Sequence, residues 1–422
     1  MNRFDVIVVG GGAAGMMAAG VAAQNGLRTL LLEKNDRLGR KLRITGKGRC
    51  NVVNNCDVPA VIASVPVNGR FLYSAVSRFT PQDTMRFFEN LGVPLKTERG
   101  NRVFPESDFA ADIVDALKRY CVTNGVRVQT ETVTALCANL QKMTGVECQS
   151  GRVYHAQNVV VACGGMSYPA TGSTGDGYRF AKQLGHTVTE LRPSLVSLVA
   201  FGSECPALQG LSLKNTAISV TDTERDRLIY RDFGEMLFTH YGVTGPMILS
   251  ASCHMRDMRP GRYRIAVDFK PALTLEQLDL RLQRDFAQNQ NKDFINSLGA
   301  LLPRKLIPVM VAKSGIAPGQ KCNRITKAQR RDFAALLKNF TVAIKGFRPI
   351  EEAIVTSGGV AVREISPGSM ESKLVAGLYF AGEVLDVDAY TGGFNLQIAF
   401  SSGYLAASSI AQKFWEQKGE AL

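Results

Sequence analysis

The spacing Gly10-x-Gly12-x-x-Gly15, followed by Glu33, carries the first chemistry legible in this 422-residue chain. Gly10 permits a tight turn, Gly12 lets the backbone approach a diphosphate, and Gly15 allows a helix to pack closely on a strand. Glu33, with Lys34 beside it, ends the next apolar run, where its carboxylate would accept from a ribose hydroxyl. An acid at that position disfavours a 2′-phosphate, so FAD or NAD fits better than NADP. The bland alternative is a glycine-rich turn without a ligand, and the complete strand–turn–helix context argues against it.

A second group near the C-terminus bears on the choice between FAD and NAD. Gly382-Glu383 follows an apolar run, and Thr391-Gly392-Gly393 opens a helix a few residues later. A carboxylate there can bind the ribityl hydroxyls of a flavin, and a helix N-terminus can hold the negative charge of a reduced flavin ring. An ordinary loop between strand and helix is the competing reading. Between the two groups lies a basic, glycine-rich segment, Gly39-Arg40-Lys41 and Gly46-Lys47-Gly48-Arg49-Cys50-Asn51. It can wrap a diphosphate or be a solvated loop. Cys50, beside Arg49 and near Lys47, is expected to have a lowered thiol pKa and to serve as a proton donor. Its alternative role is a small buried residue that shapes the loop. Tyr168, after Gly164-Gly165, and Tyr390, before Gly392-Gly393, could overhang a flavin as walls or as acids. His240 is a further acid candidate, with a structural histidine the preferred reading.

These residues need a framework. Phe4 to Val9 reads as a doubly buried strand, Ala13 to Gln24 as a helix capped by Asn25-Gly26, and Leu27 to Leu32 as the second strand. Pro81 to Asn90 and the stretch from Asp108 to Gly125 read as helices. Val126 to Val133 and Val159 to Cys163 read as strands. Texture changes near Leu191. Asn215 to Val220, Leu228 to Arg231 and Arg262 to Phe269 suggest an antiparallel sheet or barrel, and residues 274–338 look helical. Capping boxes are expected at Thr274-x-x-Gln277 and Thr326-x-x-Gln329. Gly377 to Glu383 returns to a buried strand, and Gly392 to Ala407 reads as the last long helix. The expected division is therefore a first nucleotide-domain part at 1–190, a barrel-like subdomain at 191–272, a helical subdomain at 273–340 and a return at 341–422.

Composition excludes several classes. Hydrophobic residues at 45% and charged ones at 21% rule out a disordered or collagen-like chain. Nine cysteines without a C-x-x-C pair argue against a disulfide framework, and four histidines argue against a metal site. A reducing cytoplasm is the expected location. Val6 to Ala23 is uncharged, but three consecutive glycines break it as a spanning helix, so no stable membrane association is expected.

The segments GRKLRITGKGRCNVVN (39–54), NGRFLYSA (68–75), GGMSYPATGSTGDGYRFAKQLGH (164–186), LFTHYGVTGP (237–246) and GLYFAGEVLDVDAYTGGFNLQIA (377–399) together resemble the BaiN/RdsA family of FAD-dependent NAD(P)H oxidoreductases. The resemblance spans nearly the whole chain. It implies an α/β fold: a Rossmann-type FAD domain of the glutathione-reductase kind, interrupted by a β-barrel and a helical subdomain. It also implies that FAD touches Gly12, Ala14, Gly15, Glu33, Arg40, Lys41, Gly48, Arg49, Cys50, Glu383, Gly393 and Asn395, with the Val133 backbone at the adenine. Gly10, Lys34 and Gly164 complete the expected cofactor set. Ala389 stands where glycine is expected, and a positive φ there would strain the turn.

No second glycine fingerprint exists for a nicotinamide domain, so NADH or NADPH would reach the flavin through the substrate cleft in a ping-pong scheme. The reaction expected is hydride transfer to a conjugated C=C bond. The resemblance implies two acceptors, a 3-oxo-Δ4 bile-acid or steroid enone first and a uridine of large-subunit ribosomal RNA second. A flavin electron carrier or an amine or aminoketone oxidase is a third class. Lys plus Arg exceed Asp plus Glu by 50 to 37, a balance suited to a phosphate backbone. Arg304-Lys305, Lys321 to Lys327 and Arg330-Arg331 are the expected RNA-contacting clusters, with Phe333 and Phe340 as stacking candidates.

Overall fold

In the computed structural model, which describes residues 3–419, the chain forms two units: residues up to Ser194 together with those from Ile350 onward, and Leu195–Pro349. Each has its own apolar core.

The first unit is built on a five-stranded parallel sheet. Its spatial order is Leu378–Phe380, Asn158–Val161, Val6–Val9, Thr29–Glu33 and Arg127–Thr130. Val6 pairs with Asn158 on one side and Thr29 on the other, and Val159 pairs with Leu378. All four residues of Val6–Val9 are buried, as a strand covered on both faces requires. The Ala13–Gln24 helix matches its expected span, and Pro81–Asn90 starts at a capping box between Thr80 and Asp83.

Two readings change here. The Val126–Val133 run divides at its polar Thr130-Glu131-Thr132 centre. Arg127–Thr130 joins the parallel sheet, whereas Val133–Asn139 begins a separate antiparallel sheet with Lys142–Cys148 and Val153–His155. The last helix continues beyond Ala407 to Lys418, because no breaker intervenes before Gly419, which caps it at φ 75°.

The second unit contains a closed six-stranded barrel, ordered Leu198–Ala200, Gly242–Thr244, Arg227–Phe238, Ser212–Asp222, Tyr263–Asp268 and Phe340–Phe347. Thr274 and Thr326 open the Leu275–Gln288 and Lys327–Lys338 helices with the two expected capping boxes. The strand Phe340–Phe347 closes the barrel, pairing with Tyr263–Asp268 and with Leu198–Ala200. Residues 341–349 therefore belong to the barrel, and the nucleotide unit resumes at Ile350. Phe333 and Phe340 are fully buried, so neither is a stacking surface. Among the described residues no helix is long and apolar enough to cross a membrane.

Candidate functional site

Four neighbouring strands of the parallel sheet end on the same edge, and each hands the chain to an expected site segment. Val9 leads to Gly10–Gly12, Glu33 is itself a strand end, Val161 leads to Gly164, and Phe380 leads to Gly382-Glu383. The carboxyl edge of a parallel sheet is where such folds bind ligands.

The glycines of the first turn have separable duties. A Cβ on Gly10 would stand 2.5 Å from the Ala162 carbonyl oxygen, and one on Gly15 would stand 1.8 Å from the Gly10 oxygen. Packing therefore requires both. A Cβ on Gly12 would meet nothing within 4 Å, and Gly12 caps the helix with no side-chain cap hydrogen bond among the described residues. The open space thus lies beside unsatisfied helix N–H groups, the arrangement that holds a diphosphate. Glu33 is fixed next to it: the Gly11 N–H donates to its Oε2 at 2.7 Å, and the Asn35 backbone and amide donate to its Oε1 at 2.8 and 2.6 Å. Glu131 N–H donates to the Glu33 carbonyl at 2.8 Å, which brings the segment leading to Val133 alongside.

The basic segment divides. Arg40 donates to the Asn35 side chain at 3.0 Å, and Lys34 donates to Thr174 and Asp176 at 2.5 and 2.6 Å. Lys41 reaches the opposite end of the edge, donating to Ser167 Oγ at 2.5 Å and to Glu383 Oε2 at 2.8 Å. Glu383 also accepts from the Thr356 N–H at 2.9 Å and the Ser167 hydroxyl at 3.1 Å. Sequence reasoning missed Ser167, which lies within the 164–186 segment without being singled out, and Thr356, which lies outside the quoted segments.

Arg49 turns elsewhere. Its guanidinium pairs with Glu98 at 2.5 Å and Asp108 at 2.6 Å and stacks over Phe104, and those hydrogen bonds raise its pKa. Cys50 contradicts its expected electrostatics. Its thiol is fully buried, and desolvation pushes its pKa up to about 12, outweighing a lowering hydrogen bond with Thr45. Burial disfavours the thiolate and removes the side chain from solvent, which favours the loop-shaping reading.

The C-terminal turn is also pinned by the chain. A Cβ on Gly393 would lie 2.4 Å from the Val53 carbonyl carbon, and Asn54 donates to the Gly392 oxygen at 3.2 Å. Asn395 clasps the preceding loop: it accepts from Ala389 N–H at 2.9 Å and donates to the Ala389 oxygen at 2.8 Å. Ala389 does not adopt a positive φ, which falls on Gly392 and Gly393 instead, so the expected strain does not arise. Tyr390 N–H donates to the Ser64 oxygen at 3.0 Å. Tyr168, partly buried and left-handed at φ 51°, directly follows Ser167 of the Glu383 network. His240 belongs to the second unit, where it is exposed beside Tyr241. The buried Asp388 is a further residue not singled out from sequence. It accepts from Ser194 at 2.6 Å and Ser357 at 3.0 Å, anchoring two strands to the Tyr390 loop.

The expected RNA clusters of the helical region are partly neutralised. Arg330 pairs with Asp279 and Lys321 with Asp293.

Comparison with known proteins follows the same outline. The family described as HI0933-like protein Rossmann domain matches residues 4–409. The chain is 30% identical over 418 residues to a 3-dehydro-bile acid delta(4,6)-reductase of Clostridium scindens, covering 98% of this chain and 100% of the relative. It is 32% identical over 414 residues to a ribosomal RNA dihydrouridine synthase of Escherichia coli, covering 97% and 98%. The solved 3-ketosteroid-delta4-(5alpha)-dehydrogenase of Rhodococcus jostii shares the fold, with a TM-score of 0.52 at 15% identity and 97% coverage of each chain.

Proposed function

The chain belongs to the HI0933-like family, and from that premise we propose that it is a flavin-dependent oxidoreductase that reduces a conjugated C=C bond. The observation that carries this reading is the Gly12 opening and the Glu383–Lys41 pair on one sheet edge, a backbone anion site and a carboxylate station in the same unit. When bound, FAD supplies the hydride and the charge sink for such a reduction.

The chain's own residues set the stage. Gly11 and Glu33 hold each other, which fixes a carboxylate that would accept from sugar hydroxyls of the bound cofactor. Lys41, Ser167 and Thr356 fix Glu383 so that its remaining acceptor capacity can orient a polyol. Gly164, Gly393 and Asn395 shape the surrounding turns. Tyr168 and Tyr390 are the proton donors of this proposal; Cys50 is withdrawn from that role. NADH or NADPH is the proposed hydride donor, entering by the acceptor's route.

Two acceptors share the chemistry, because a 3-oxo-Δ4 steroid acid and a uridine ring each conjugate a C=C bond to a carbonyl. The family resemblance by itself favours the steroid. The charge distribution reverses that order: residues 195–349 carry 23 Lys and Arg against 13 Asp and Glu, while the remainder carries 27 against 24. A polyanion therefore suits the inserted unit, and uridine in RNA becomes the leading acceptor. The bile-acid enone is the second reading, favoured by the end-to-end similarity to the Clostridium scindens enzyme.

The test is anaerobic reoxidation of the reduced flavoprotein by an unmodified large-subunit rRNA fragment and, separately, by a 3-oxo-Δ4 steroid acid. Fast reoxidation by RNA is expected. Reoxidation by the steroid alone reverses the acceptor order, and reoxidation by neither overturns the C=C reductase reading.

A further inference from the structure

The outer face of the barrel has an unusual make-up for an exposed sheet. Strand residues alternate between core and outside, and the registers identify which outward residues are neighbours. On the central strand Ser212–Asp222 these are Ala217, Ser219 and Thr221. Ala217 lies opposite Phe233, Ser219 opposite Arg231 and Ala266, and Thr221 opposite Arg264. Arg264 in turn faces Ala343 on the next strand, and Thr341 lies beside Ala266. The middle of the face is therefore made of short side chains.

Cations frame it. Arg231, Arg264 and Lys345 are exposed, each on a different strand, and none joins a carboxylate among the described residues. Arg231 and Arg264 sit on the two strands flanking the central one, offset by two positions along it, about 12 Å apart from strand spacing and rise. Phe233 is 54% exposed beside them, and Leu228 is 43% exposed at the Thr221 end. By contrast, the neighbouring Asp268 is occupied by Lys338.

Short side chains, an exposed aromatic ring and guanidinium groups without a carboxylate partner suit splayed bases and phosphates. We propose that this barrel face docks single-stranded RNA, with Arg231, Arg264 and Lys345 on phosphates and Phe233 under a base; the inference rests on the RNA reading of the acceptor above. Charge complementarity selects the occupant, since the unit holding this face carries most of the chain's positive excess.

Binding of a uridine-containing single-stranded RNA of roughly 12 nucleotides tests it, measured by fluorescence anisotropy on the flavoprotein from about 50 to about 200 mM salt. The triple variant Arg231→Ala, Arg264→Ala, Lys345→Ala is expected to bind on the order of 30-fold more weakly and to lower the salt slope by about two. Phe233→Ala is expected to weaken binding about tenfold. The control triple Arg324→Ala, Lys327→Ala, Arg331→Ala, on and before the Lys327–Lys338 helix, should leave binding unchanged. Unaltered affinity in the barrel variant overturns the proposal. So does a loss confined to the helix variant, or wild-type binding to phosphatidylserine vesicles in preference to RNA. Thermal midpoints verify that the surface variants fold. Flavin reoxidation by RNA, read on the same proteins, separates failure of the docking face from failure of the acceptor reading.

Discussion

The two ends of the cofactor edge are built from different material. At the first turn the work falls mainly to the backbone: glycines supply closeness, a helix supplies N–H groups, and Glu33 is held by two main-chain donors and the Asn35 amide. At the Glu383 corner it falls mostly to side chains brought from distant segments, at positions 41, 167 and 383, joined by one main-chain N–H from Thr356. A backbone site is intolerant of added volume, whereas a side-chain network is sensitive to charge and hydrogen bonding. The two should therefore fail differently.

The largest expected effect is Gly15→Ala. Its methyl would occupy the position of the Gly10 carbonyl oxygen, and relieving that clash should cost about 3 kcal/mol or more, seen as a large fall in the urea midpoint. Gly12→Ala sharpens the contrast. The added methyl meets no protein atom and φ is −83°, so stability should stay within about 1 kcal/mol of the parent. Flavin retention, read from absorbance of the purified protein, should nevertheless fall by roughly a hundredfold in affinity, about 2.8 kcal/mol. If Gly12→Ala purifies fully flavinated, the opening is not the diphosphate site.

Glu383→Gln tests the other end. Lys41 keeps a hydrogen-bond acceptor but loses its counter-charge, and flavin affinity should drop by about ten- to a hundredfold with the fold intact. An unchanged flavin content would remove Glu383 from the cofactor set. Cys50→Ser should have the smallest effect. A thiol pushed to about 12 stays protonated through the working range, so the pH–rate profile between about pH 6 and 10 should match the parent. A Cys50-dependent inflection in that range would restore the thiol to the chemistry.

The same division explains what the sequence could disclose. Gly10, Gly12, Gly15 and Glu33 are legible because backbone geometry limits the residue types that fit, and their spacing follows from one strand, one turn and one helix. Capping boxes at Thr274 and Thr326 are legible for the same local reason. Ser167, Thr356 and Asp388 are not: their roles arise from long-range contacts, and serine, threonine and aspartate are common in loops. Cys50 misled because neighbouring charges are visible in sequence and burial is not. Residues 341–349 misled because barrel closure depends on a partner strand some 140 positions earlier in the chain.

The paired ends of the insert bear on how the protein is made. Leu198 lies opposite Phe347 in one unit, and Arg192–Ser194 runs against Val355–Ser357 in the other, so the chain departs and returns at neighbouring points. Once residues 195–349 have folded, the nucleotide unit experiences them as a short hairpin connection. Closing a connection of a few residues instead of one that long is easier by about 3 kcal/mol in chain entropy. On a ribosome the barrel emerges before the strand Leu378–Phe380, so the order of synthesis lets it fold in time to bring that last strand within reach of Asn158–Val161.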